Sequence, residues 1–325
     1  MMTMKKIVLS VLLLVSSVLA EEKVMKSILD DVLLHNAQNA SSHAKTLLND
    51  LQTKKELSVL KNDFKNLVVS WKKVETFYLA AEFNEDSIDT PRYIDVFHNL
   101  KENLSVQIQR VIDSKESLDI EMYKHSFKTI NALEYALYKD GFDDRRYELS
   151  KIITQNIINR LDEINKVYVN DNKKFLSDFK WTNDVIINML IDSSFKLRDW
   201  RVGDIAGYSR KAKGKADNKK AEYFISSNST NAIKAILDTH KQIMDASTYD
   251  FGDMLIENGL KKEVQLIRNE INNSMDNLKY LKNENFENKD VKILYVSLDK
   301  LHRSYYSSLV NALEINTKIL DADGD

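Results

Sequence analysis

The stretch Phe64-Lys65-Asn66-Leu67-Val68-Val69-Ser70-Trp71-Lys72-Lys73-Val74-Glu75-Thr76-Phe77-Tyr78 decides the fold. Phe64, Leu67, Val68, Trp71, Val74 and Tyr78 recur at three- and four-residue steps, the stripe of an amphipathic helix facing a core. Ile153, Ile157, Leu161, Ile164 and Tyr168 repeat the pattern, as do Val291, Leu294, Leu298, Leu301, Tyr305 and Leu309. Nowhere does apolar–polar alternation persist long enough for a convincing strand. The periodicity predicts helices over 22–53, 55–83, 92–113, 118–138, 145–178, 181–199, 229–246, 255–283 and 288–320.

Composition points the same way. One proline and seven glycines in 325 residues leave little material for tight turns, which argues against propeller, sandwich and doubly wound folds. The absence of cysteine excludes disulfide-stapled, zinc-finger and iron–sulfur classes. With 43% hydrophobic residues and a formal charge of −2, the chain has core material and no excess charge to keep it disordered. It is not basic enough to suggest nucleic acid as a partner.

The breaks have local causes. Pro91 lacks an amide proton and biases Thr90 away from helix, so 84–91 reads as a loop with a fresh helix behind it. Gly141, within Lys139-Asp140-Gly141-Phe142-Asp143-Asp144, reads as a helix stop followed by acidic capping. Segment 202–228 holds three glycines and the basic run Arg210, Lys211, Lys213, Lys215, Lys219 and Lys220, a solvated connection or else a surface for an anionic partner. The expectation is an all-α protein of two helical bundles with long antiparallel helices, residues 21–142 and 143–325, divided near Gly141.

Residues 1–20 read as an export signal. Lys5 and Lys6 precede an apolar run that ends in Val18-Leu19-Ala20, and Glu21-Glu22 suit a mature N-terminus. No later segment is long and apolar enough to span a membrane. Cleavage after Ala20 removes two lysines, leaving 45 basic residues against 49 acidic ones, a charge of −4. In a bacterial host the destination is the periplasm.

Chemistry concentrates in 125–138. Phe127, Asn131, Glu134 and Tyr138 fall on one side of a helix, which embeds the Glu134 carboxylate in an apolar stripe. A buried carboxylate must find a cation, find donors or take a proton. On the preceding stripe Trp71, Glu75, Tyr78 and Glu82 would share a face, and its meeting with Glu134 would form an oxygen-rich pocket. Such a pocket suits a hard cation or ferric iron; the alternative is a glutamate tied to tyrosine hydroxyls or to an arginine as structural glue.

Segment 129–138 resembles the signature helix of the imelysin-like proteins, where a Gly-x-His-x-x-Glu motif precedes an aromatic or aliphatic run. Trp71, Tyr78 and Glu82 with Ser87-Ile88-Asp89 are similar to that family's earlier helix and loop. Leu197-Arg198-Asp199-Trp200-Arg201-Val202-Gly203 and Glu222 with Ser226 and Ser229-Thr230 resemble its later segments. The motif is degenerate: Thr129 stands for glycine and Asn131 for histidine, and only Glu134 survives.

The resemblance implies either a peptidase or a periplasmic protein of iron uptake. A zinc peptidase needs about three protein ligands plus a water, and the six histidines, at 35, 43, 98, 125, 240 and 302, form no ligand pair at helical spacing. No Gly-x-Ser-x-Gly elbow is present for a serine mechanism. The preferred expectation is a non-enzymatic binding protein holding iron or another hard cation. Its metal ligands would be Glu134, Glu82, Asn131 and Tyr78, and Trp71, Glu75, Arg198 and Arg201 would line the pocket. An uptake protein of the periplasm or outer membrane would be its partner. The alternatives are an imelysin-type metallopeptidase, or a helical adaptor that recognises a protein or polysaccharide without metal.

Overall fold

A computed structural model describes residues 20–98 and 102–313. These are helical or in turns and loops, with no strand among the described residues. The export signal expected over 1–20 lies outside them but for Ala20, as does the part of the 288–320 helix beyond residue 313.

Among the described residues eight helices carry the architecture, with shorter ones, such as Leu104–Asp113, between them. The first four are α1 (20–52, with a π-turn at Ile28–Leu34), α2 (Leu57–Thr76), α3 (Ile130–Tyr138) and α4 (Asp144–Asn170). The rest are α5 (Phe179–Arg198), α6 (Ser229–Met244), α7 (Lys261–Asn277) and α8 (Val291–Arg303). Helices α1 to α4 close one ring, in which α1 packs on α2 and α4, and α3 on α2 and α4. Helices α5 to α8 close a second, with α8 between α5 and α7 and with α6 touching both of those. The rings meet where α2 lies along α6.

Each helix buries the stripe its sequence shows. In α1, Ala37, Ala40, Ala44, Leu47 and Leu51 are buried, and the run of alanines lets α2 and α4 approach closely. In α4, Leu149, Ile153, Ile157, Leu161 and Tyr168 face inward. Gly141 takes φ +83 between α3 and α4, and Asp143 caps α4 by accepting the Arg146 amide at 2.9 Å. The Arg146 side chain in turn donates to the Ala136 and Lys139 carbonyls at the end of α3.

The division expected between residues 142 and 143 does not coincide with this packing. Helix α4 completes the first ring, so the chain passes to the second ring after Asn170, not at Gly141. The glycine stops a helix, but the alanine face of α1 keeps α4 in the first ring. Other expected helices are shorter than their periodicity implied. The 55–83 helix ends at Thr76, whose hydroxyl bonds back to the Lys72 carbonyl, and Phe77 leaves helical geometry at φ −131 and ψ 57. The 92–113 helix is interrupted after Thr90–Ile94 and resumes at Leu104. The 118–138 helix falls into Leu118–Glu121, the 3-10 turn His125–Lys128 and α3. Pro91 occupies the first turn of Thr90–Ile94, where its missing amide proton removes no helical bond. Among the described residues no helix is long and apolar enough to cross a membrane.

Leu161 is fully buried in α4. Leu161→Ala is expected to destabilise the protein by about 2–5 kcal/mol through the cavity it leaves, read as a lower urea midpoint at unchanged slope.

Candidate functional site

Where the rings meet, four breaks in the helical pattern deliver charged side chains to one place. The last turns of α2 supply Trp71, Lys72 and Glu75. Asp95 follows the short helix Thr90–Ile94 and is extended, at φ −140 and ψ 129. Arg201 comes from the π-turn Asp199–Gly203 that ends α5, and Glu222 and Tyr223 come from the turn before α6.

At the centre is the Lys72 ammonium, fully buried. It donates to Asp95 Oδ2 at 2.8 Å, to Glu75 Oε2 at 2.7 Å and to Glu222 Oε1. One oxygen from each of Glu75, Asp95 and Glu222 lies within 4.8 Å of the others, so the lysine occupies the middle of a three-carboxylate cluster. Arg201 forms a second tier, donating from Nε to Glu222 Oε2 and from Nη2 to Glu75 Oε2, both at 2.8 Å. Asp95 Oδ2 also accepts from Trp71 Nε1 and the Tyr223 hydroxyl, each at 3.0 Å, and Asp95 Oδ1 accepts the Phe97 amide at 2.9 Å.

The electrostatics follow from burial and pairing. Burial opposes the Lys72 charge, but Asp95, Glu222 and Glu75 outweigh it and hold the ammonium above its usual range. Burial alone would raise the Asp95 carboxyl, yet Lys72 and the converging donors keep it well below the usual carboxylate range. Full burial pushes Glu222 upward against the pull of Arg201 and Lys72.

Glu134 lies beside this cluster and differs from it. Its Oε1 accepts the Ser226 amide at 2.8 Å and the Ser226 hydroxyl at 2.7 Å. Among the described residues Glu134 makes no ion pair. Burial pushes its carboxyl up to about 7 despite the two serine donors, with the Glu222 and Asp95 charges adding to the rise. The turn presenting Ser226 is strained, with Tyr223 at φ 58 and Ser227 at φ 55, values that non-glycine residues seldom adopt. The Ser229 hydroxyl tethers it to the Glu222 carbonyl, and the Glu284 carboxylate accepts the Ser229 and Thr230 amides at the start of α6.

Of the residues singled out from sequence, Trp71, Glu75 and Arg201 join the charged network, and Asn131 and Glu134 border it. The Asn131 carbonyl oxygen accepts the Val96 amide at 2.8 Å and fixes the segment that carries Asp95. Tyr78 and Glu82 do not continue the Trp71–Glu75 face, because α2 has already ended. The Tyr78 hydroxyl donates to the Ser87 carbonyl, and Glu82 sits in the short helix Ala80–Phe83 packed on 85–87 and α4. Arg198 turns away to Asp199 and to Asp299 of α8. Among the described residues no arginine pairs with Glu134, since Arg201 takes Glu75 and Glu222 instead. Sequence reasoning missed Lys72 and Asp95 as site residues, and read Glu222 only as part of a family resemblance. The Lys72–Glu75 spacing beside Trp71 was a signal for the first, and nothing local marked the second.

A family model described as Imelysin matches residues 30–307. The chain belongs to the imelysin family. A crystal structure of an imelysin-like protein from Psychrobacter arcticum 273-4 superposes with a TM-score of 0.79 at 17% identity, covering 93% of this chain and 98% of that one. At that identity the likeness concerns the fold. A search of curated proteins returns no match. In this imelysin-family chain the position expected to hold the motif histidine is the Asn131 amide, engaged with backbone.

Two variants test the site. Lys72→Met leaves three carboxylates facing one another and is expected to destabilise the fold by about 3–5 kcal/mol at neutral pH, with partial recovery in acid as they protonate. Glu134 titrates higher folded than unfolded, so its protonated form adds stability that is full below about 4.5 and is lost as the pH rises through about 7. Glu134→Gln is expected to flatten that part of the stability–pH curve, by up to about 3 kcal/mol across the window.

Proposed function

We propose that this chain is an exported, non-enzymatic binding protein of the imelysin family, serving uptake of iron or another hard cation held against Glu134 where the rings meet. One observation carries the reading: Glu134 is a buried carboxylate with no cationic partner among the described residues, whereas Asp95, Glu222 and Glu75 are all paired with Lys72 or Arg201. A cation would supply the missing charge, and oxygen donors suit hard ions. The Ser226 hydroxyl, hydrogen-bonded to Glu134, is a neighbouring neutral oxygen, whereas the Asn131 carbonyl, three residues before Glu134 on α3, already accepts the Val96 amide. Tyr78 and Glu82, engaged elsewhere, drop out of the ligand set.

Lys72 supports the non-enzymatic part. A peptidase metal needs about three protein ligands and an open position, and here the middle of the three-carboxylate cluster is taken by the protein's own ammonium. Export rests on the leader Lys5 to Ala20, and the uptake partner would be a protein of the periplasm or outer membrane.

Because Glu134 titrates near neutrality, a cation must displace its proton. Calorimetric titration with ferrous ion, ferric citrate, zinc and calcium is expected to show binding with release of up to one proton. Affinity should fall about tenfold per pH unit below 7, and Glu134→Gln should abolish it. Absence of heat with every cation would sink the cation role, and chelator-sensitive cleavage of a denatured protein would overturn the non-enzymatic one.

A further inference from the structure

A cavity with a volume of about 580 Å³ opens between the first turns of α1, the last turns of α6 and the 245–250 turn. That size is ordinary for a small-molecule pocket. Apolar side chains line it, the half-buried Ala246 and Tyr249 above the core residues Val24, Ile28 and Ile243. Lys73, whose neighbour Lys72 carries the buried cluster, lines this cavity instead.

The charges around the cavity fall into two sets. Asp238 is held by Lys234 at 2.7 Å, Asp245 by Lys241 at 3.6 Å, and Asp250 by Arg268 at 2.9 Å. These acids are already neutralised. Lys73 and Asp31 form no ion pair among the described residues, although Lys26 lies near enough to Asp31 to attract it. Among the described residues Lys73 has no ion-pair or hydrogen-bond partner. Among the described residues Asp31 accepts only the Ser27 hydroxyl, at 2.8 Å, because the nearby Lys26 pairs with Asp30. Four acids are thus matched by four bases, counting Lys234 and Arg268, and one charge of each sign, the exposed Asp31 and the half-buried Lys73, has no ion-pair partner among the described residues. Further donors line the same space: the Ser247 and Thr248 hydroxyls, and the amide of Gln242, whose oxygen is occupied by Asn36.

We infer that this cavity binds a small zwitterion with an apolar side chain, an amino acid or a short peptide, with its carboxylate on Lys73 and its ammonium on Asp31. A bare organic anion would satisfy Lys73 and leave Asp31 without a partner, and a bare amine would do the reverse. A neutral ligand carrying both charges matches a lining whose other charges already cancel. The apolar lining takes the side chain, and the exposed Ser247 and Thr248 in the 245–250 turn mark the side open to solvent.

Leucine, methionine, phenylalanine and the dipeptide Leu-Leu are the probes, titrated into the purified protein by calorimetry. 4-Methylpentanoate, which lacks the amine, and isoamylamine, which lacks the carboxylate, serve as controls. Saturable binding of at least one probe is expected, weakened about tenfold or more by Lys73→Met and by Asp31→Asn, with both controls weaker than leucine. Glu134→Gln should leave it unchanged, so the result is independent of the cation site. Failure of all four probes to bind overturns the inference. So does binding that survives both Lys73→Met and Asp31→Asn, or a control that binds as tightly as leucine.

Discussion

The structure depends on keeping one ammonium ion out of water. An isolated charge in a protein interior is strongly unfavourable, and the Lys72 side chain is wholly buried. The surroundings answer by bringing acids from three separate stretches: Glu75 from the same helix, Asp95 from the loop beyond Pro91, and Glu222 from the turn before α6. Three acids around one base would overcompensate, and Arg201 supplies the second positive charge from the end of α5. The two rings are therefore joined by an ion network as well as by the packing of α2 on α6.

That network explains the irregularities around it. Helix α2 stops one residue after Glu75, Asp95 sits where the backbone turns extended, and Arg201 rides on a π-turn. π-Turns interrupt regular helices and often mark sites where a side chain has to be re-aimed. The strained residues Tyr223 and Ser227 flank the serine that holds Glu134. Asn131 belongs to the same scaffold, since its amide oxygen anchors Val96, next to Asp95.

Legibility followed the same line. Repeats of three and four residues announced the all-α class and the long helices, because burial of an apolar stripe is written locally in the sequence. The resemblance identified from Glu134, Trp71 and the 197–203 stretch also agrees with the family match. Where periodicity was carried past a break it failed: Tyr78 and Glu82 were placed on a face that ends at Thr76. The partnerships of Lys72 were hidden for another reason. Its decisive neighbours Asp95 and Glu222 lie 23 and 150 residues away, and no local pattern encodes that meeting. The allocation of Arg201 to Glu75 and Glu222, leaving Glu134 without a cation, is likewise a matter of tertiary geometry.

The 150-residue span between Lys72 and Glu222 also bears on the order of assembly. A chain that emerges N-terminus first presents α1 and α2 long before α5, the π-turn and the strained turn exist. Until then the Lys72 ammonium lacks Glu222 and the second tier from Arg201, and it is more stable hydrated than enclosed. The first ring can form early, because its contacts need nothing beyond Asn170. The face of α2 that α6 will cover stays wet until the later half arrives. Enclosure of the polar centre therefore needs both rings in place.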